Sequence, residues 1–209
     1  MHALDIRPAR PDEAPACIDT LVAGFVQDPG VRWMYPDLQQ YQENFPRFAR
    51  AFGGRAFAHG TADRIDDAAV ALWLPPGVQP DEAALVNLIE ASVPARDHAA
   101  VFALFEDMGR YHPREPHWHL TLIATHPTHQ RRGLGAALLR HRLAACDRDG
   151  VLAYLEATSA ASMPLYARHG FEALGAIAQG NSPTIVPMLR KPRRVSAMHE
   201  RECETVLAE

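Results

Sequence analysis

Cysteine is scarce in this 209-residue chain: Cys17, Cys146 and Cys203 form an odd, widely spaced set without a Cys-x-x-Cys pair. That argues against disulfides and points to free thiols in a reducing compartment. Long apolar runs are missing too. No stretch approaches the roughly eighteen residues of a membrane span, and the start, Met-His-Ala-Leu-Asp-Ile-Arg, has no apolar signal core. The expectation is a cytoplasmic protein with no membrane partner. Positive charge is not concentrated either: the formal net charge is −4, and Arg190 to Arg194 is only a short basic run, so nucleic acid is not an expected partner. Internal repeats and linkers are also absent. What remains is 47% hydrophobic, enough for one soluble domain with a sizeable core. The domain is expected over residues 1–191, with a partly helical tail over 192–209 that packs back, frays or joins two copies, so the expected state is monomer or homodimer.

The most informative stretch runs from Leu122 to Ala136, where an apolar strand pattern ends at Pro127 and restarts as a helix through Gln130-Arg131-Arg132-Gly133-Leu134-Gly135. Glycines there remove side chains where backbone N–H groups must approach an anion, and the positive end of the helix dipole points the same way. Competing phosphate motifs fail. No lysine and hydroxyl follow Gly135 as a nucleotide P-loop requires, and the third glycine of a dinucleotide fingerprint would fall at Leu138.

Periodicity places the other elements. Ala3 to Arg7 reads as a strand, and Pro11 opens a helix whose Cys17, Ile18, Leu21 and Phe25 share a face. An aromatic helical region follows over Val31 to Phe52. Arg55 to His59 and Ala68 to Leu74 read as strands around a polar loop. Asp81 to Met108 reads as two helices divided at Pro94. Strands are expected over His117 to Thr125, Val151 to Glu156, Glu172 to Ala176 and Thr184 to Leu189, with helices over Leu134 to Asp149 and Ser159 to His169.

Three motifs in order, the Gln-Arg-Arg-Gly-Leu-Gly turn, Tyr154-Leu155-Glu156, and Tyr166-Ala-Arg-His-Gly170-Phe171, resemble the GNAT superfamily of N-acetyltransferases. Ala68 to Trp73, Pro113 to Pro116, His129-Gln130 and Met163 to Tyr166 look similar to its puromycin N-acetyltransferase-like members. The resemblance implies an α/β (α+β) fold: one domain with a central, twisted, mixed but mostly antiparallel sheet of about six or seven strands, and helices on both faces. It also implies acetyl-CoA as cofactor and a small-molecule primary amine as acceptor, aminonucleoside or amino-acid-like, attacking directly in a ternary complex. A non-catalytic acyl-CoA sensor and a peptide N-terminal acetyltransferase are the alternatives.

By that resemblance the pyrophosphate meets the backbone of Gln130, Arg131, Arg132, Gly133, Leu134, Gly135 and Ala136, while the pantetheine arm pairs with Ile123, Ala124 and Thr125 like an added strand. Thr125 stands where the family usually has valine, and Ser162, a further cofactor contact, where relatives often carry asparagine. Tyr166 is the candidate acid for the departing thiolate, and Glu156 the candidate base, directly or through water. Candidate walls for the acceptor are Phe25, Asp28, Trp33, Tyr35 and His119. The eleven histidines invite a metal reading, with His117 and His119 on one strand face and His112, His126 and His129 nearby. A zinc site needs three or four converging ligands, so the expectation is no metal.

Overall fold

A computed structural model describes residues 4–193. Among these, seven strands form one sheet in the order β1-β2-β3-β4-β5-β7-β6. They are β1 (Arg7–Pro8), β2 (Ala62–Ile65), β3 (Ala69–Leu74), β4 (His117–Thr125), β5 (Leu152–Ala157), β6 (Glu172–Ala173) and β7 (Val186–Arg190). Every neighbouring pair is antiparallel except β4 with β5, which is the mixed, mostly antiparallel sheet expected. No helix among the described residues is long and apolar enough to cross a membrane. The tail expected over 192–209 lies outside the described residues beyond Arg193, as does Ala3, the first residue of the strand expected over Ala3 to Arg7.

One face carries α1 (Ala14–Phe25), α2 (Pro29–Met34), α3 (Leu38–Gly53), α5 (Glu82–Ser92) and α6 (His98–Tyr111). In α3 the residues Tyr41, Phe45, Phe48 and Phe52 recur at steps of four and three, so they make one stripe, and neighbouring rings along it lie 5.1 to 6.1 Å apart. The stripe meets Val70, Leu72, Leu122 and Ala124 from the strands. On the opposite face α7 (Leu134–Asp149) and α8 (Met163–Arg168) cover Ala71, Trp73, Leu120 and Leu155. Aspartates cap several starts: Asp28, Asp37 and Asp81 accept from the amides of Val31, Gln40 and Ala84. Pro94 divides α5 from α6 as expected.

One strand was misplaced by the sequence pattern. Arg55–Ala58 is a helical turn, α4, and the strand is Ala62–Ile65, between β1 and β3, in the segment expected to be a polar loop. Its polar residues are buried because they have distant partners. Asp63 is fully buried and takes a two-pronged ion pair from Arg142 at 2.7 and 3.0 Å, and Arg64 meets Glu13 at 3.2 Å.

Two glycines of equal helical status have opposite surroundings. A Cβ on Gly24 in α1 would lie 2.6 Å from the Cβ of Ala124 on β4, whereas one on Gly109 in α6 would meet nothing within 4 Å. Gly24→Ala is therefore expected to destabilise by about 1–3 kcal/mol through overpacking, and Gly109→Ala to stabilise by up to about 1 kcal/mol through helix propensity. Urea midpoints of the two variants moving in the same direction would contradict this account of the packing.

Candidate active site

The central opening comes from two parallel strands that part company. β4 and β5 pair only from His117 opposite Leu152 to Leu120 opposite Leu155. Beyond that, β4 runs on beside β3 as far as Thr125, and β5 runs on beside β7 as far as Ala157. The divergence begins at a bulge. Leu72 opposes Leu122 while Trp73 opposes Leu120, which leaves Thr121 as the extra residue, its hydroxyl donating to the Leu72 carbonyl at 3.1 Å. Backbone that has lost its neighbour on one side offers free amide groups, the need of an amide-rich ligand.

An inner cavity of about 730 Å³, counting space open to solvent, fills this gap. Leu120 to Ile123 line one side and Leu155, Glu156 and Thr158 the other, with Tyr166 and Phe25 also on its wall. A second, outer cavity of about 1210 Å³ on the same basis is lined by Leu85, Val86, Ile89, Phe102, His112, His117 and His119. The two share Phe52, Phe105, Met108 and Glu156, so Glu156 stands where they meet.

The glycine-rich turn leads into a helix that starts without a side-chain cap. After a short turn at Pro127–His129, Arg131 and Gly133 adopt left-handed φ angles of 63° and 76°, and α7 starts at Leu134 with no side chain capping it. The first helical bond runs from the Ala137 amide to the Gly133 carbonyl at 3.0 Å, so the preceding amides are left for another partner. Left-handed φ at a non-glycine residue is strained backbone of the sort found where a ligand is gripped. Gly133 has open space where a Cβ would go, and Arg131 and Arg132 are exposed beside it. Leu134 is turned into the core, which leaves only its backbone for a ligand. Gln130 reaches back to the Thr125 carbonyl at 3.5 Å, and the side chain of Ala124 is buried among the helices of the other face. Ser162 donates to the Ser159 carbonyl at 2.8 Å and does not line the inner cavity.

Glu156 is the most constrained carboxylate in the site. Its side chain is 3% exposed; Oε2 lies 2.8 Å from His119 Nε2, and Oε1 lies 3.1 Å from His112 Nε2. Burial pushes its pKa up, but His119 and His112 outweigh burial and leave it well below the usual carboxylate range. His112 in turn meets His117 Nε2 through Nδ1 at 3.2 Å, and His117 Nδ1 donates to the Glu115 carbonyl at 2.9 Å. Tyr166 packs edge-on against Phe171 at 6.1 Å; burial pushes its phenol up to about 12, with a hydrogen bond involving Ser162 acting the other way.

Of the expected acceptor walls, Phe25 lines the inner cavity and His119 the outer, and Asp28, Trp33 and Tyr35 line neither. Tyr35 is fully buried with its hydroxyl 3.0 Å from Ser92 Oγ. Trp33 donates to Asn181 at 3.0 Å and packs on the core. Asp28 is occupied structurally: it caps α2 and receives a hydrogen bond from Thr158, and burial raises its pKa. A carboxylate so engaged tethers α2 to the end of β5 and is not a free anchor for a cationic amine. Sequence reasoning missed His112 as a partner of Glu156. The signal was its place beside the His117-x-His119 pair.

Residues 79–171, which carry the outer-cavity helices, β4, the cradle, β5 and Tyr166, match the acetyltransferase (GNAT) family model. The domain is GNAT-like. Among solved structures, a histone acetyltransferase HPA2 and related acetyltransferase from Corynebacterium glutamicum is 27% identical with a TM-score of 0.63, over 91% of this chain and 97% of that one. Arylalkylamine N-acetyltransferase 2 from Aedes aegypti shares the fold at 12% identity and a TM-score of 0.63, over 90% of this chain and 99% of that one. An agmatine N-acetyltransferase does so at 12% identity and a TM-score of 0.55, over 90% and 98% of the two chains. Family and relatives together support an N-acetyltransferase enzyme.

Proposed function

We propose that this GNAT-like enzyme moves the acetyl group of acetyl-CoA to the primary amine of a small molecule by direct attack in a ternary complex. The observation that carries this reading is the position of Glu156 at the junction of two cavities, one opening beside the splayed strands and the other beside the histidines. The cofactor's pyrophosphate rests on the amides of Arg131 to Ala136, and its pantetheine arm takes the free edge of Ile123 to Thr125, bringing the thioester into the inner cavity near Tyr166. The acceptor enters through the outer cavity and presents an N–H to Glu156.

The roles follow from the chemistry of aminolysis. Attack needs a hydrogen acceptor for the amine and a donor for the departing sulfur. Glu156 Oε1 is buried and has no hydrogen-bond partner, which suits it to accept from the amine directly or through a water molecule. A phenol raised to about 12 holds its proton more tightly than a thiol with an ordinary pKa near 8.5, so Tyr166 stabilises the thiolate as a hydrogen-bond donor and need not surrender its proton.

Leu85, Val86, Ile89, Phe52 and Phe102 make the outer cavity mainly apolar, which favours an amine on an aryl or alkyl body over the N-terminus of a peptide. Assaying thiol release from acetyl-CoA with arylalkylamines, agmatine, aminonucleosides and short peptides tests this. Acceptor-dependent release is expected with a small amine of apolar body. Release with peptides alone would replace the small-molecule reading, and cofactor binding without release for any amine would make the chain a sensor.

A further inference from the structure

We propose that His112, His119 and Glu156 form a binding site for one divalent transition-metal ion of the zinc class. Their ligand atoms lie within 4.8 Å of one another. The Glu115 carbonyl can only accept, so His117 Nδ1 carries a proton and the Nε2 of a neutral His117 is an acceptor. His112 Nδ1, facing that Nε2 at 3.2 Å, is then the donor, and the other nitrogen of a neutral His112 holds a lone pair. That nitrogen lies 3.1 Å from Glu156 Oε1 without the alignment of a hydrogen bond, and Oε1 is buried with no partner. A buried carboxylate oxygen without a partner, beside two imidazole nitrogens, is a place where a cation would find ligands.

The donor set fits zinc. Two imidazole nitrogens and one carboxylate, with a fourth position open to a cavity, are the ligands of a catalytic-type zinc site, and at bond lengths of about 2.0–2.2 Å tetrahedral donors stand roughly 3.3 Å apart. The spacings to Glu156 here are 2.8 and 3.1 Å. For His112 an outer partner is in place: His117 accepts from its Nδ1 and is itself anchored on the backbone, whereas His119 Nδ1 is buried without a partner. Binding leaves the one proton of His119 on Nδ1. The hard ions magnesium and calcium prefer oxygen cages and are not expected to bind. An ion there occupies the carboxylate that accepts from the acceptor amine, so metal and acceptor exclude each other; that consequence rests on the proposed function, whereas metal binding does not.

Titrating the full chain, freed of metal by chelation, with cobalt(II) and zinc gives a readout independent of transfer. One equivalent should bind. Cobalt should develop the intense visible bands of four- or five-coordinate nitrogen and oxygen ligation, and zinc should displace it. Glu156→Gln and the half-buried His112→Asn should each weaken binding at least tenfold, and His126→Asn in the exposed turn should leave it unchanged. Only the weak bands of octahedral cobalt, or affinity that follows His126 while ignoring His112 and Glu156, would overturn the site.

Discussion

Replacing Tyr166 by phenylalanine is expected to lower kcat roughly 10²–10³-fold, the typical cost of removing one preorganised donor from a site of developing negative charge. Acetyl-CoA affinity should be unchanged. The ring is 8% exposed and held against Phe171, and phenylalanine fills the same volume, so the variant loses one hydroxyl and little packing. The effect falls on kcat because sulfur carries charge only as the thioester breaks; in the ground state the hydroxyl has no anion to stabilise. Initial rates across acetyl-CoA concentrations, with cofactor affinity from calorimetry, separate the two quantities. Equal turnover in the variant would remove Tyr166 from the chemistry, and a matched loss of cofactor affinity would make it a binding residue.

Much of this site is local in sequence and so could be read there. The strand His117 to Thr125 and the helix Leu134 to Asp149 have the bounds that periodicity and the intervening Pro127 and Gly133 predict, because the signals that shape that turn lie within it. Glu156, near the end of β5, and Tyr166, within α8, were legible as members of recognisable elements. Their surroundings were not. His112 reaches Glu156 across 44 positions of chain, and nothing local to either announces the contact. Asp28 looked like a free acid beside aromatics, yet its partner Thr158 is 130 residues away. The same cause hid β2: Ala-Asp-Arg-Ile reads as loop until Arg142, 79 residues on, buries Asp63. The Arg55–Ala58 turn is a short, mainly apolar run like a strand, but it continues the helical path of α3 through Gly54. Patterning reports what a segment's own residues prefer, and ion pairs between distant segments override it.

The cradle is the link on which the acetyl-CoA reading depends, and Gly135 tests it without disturbing the fold. A Cβ there would stand 3.7 Å from Leu165 and 3.9 Å from Thr125, ordinary contacts, so Gly135→Glu inserts bulk and negative charge among the free amides while leaving α7 intact. The most direct measurement is the stability of wild type and Gly135→Glu against increasing acetyl-CoA. Cofactor at about 100 times its Kd should stabilise the wild type by about 2.7 kcal/mol and the variant by almost nothing. No stabilisation of the wild type at millimolar acetyl-CoA, or equal stabilisation of both proteins, would contradict the placement of the cofactor between β4 and β5 with its pyrophosphate on α7.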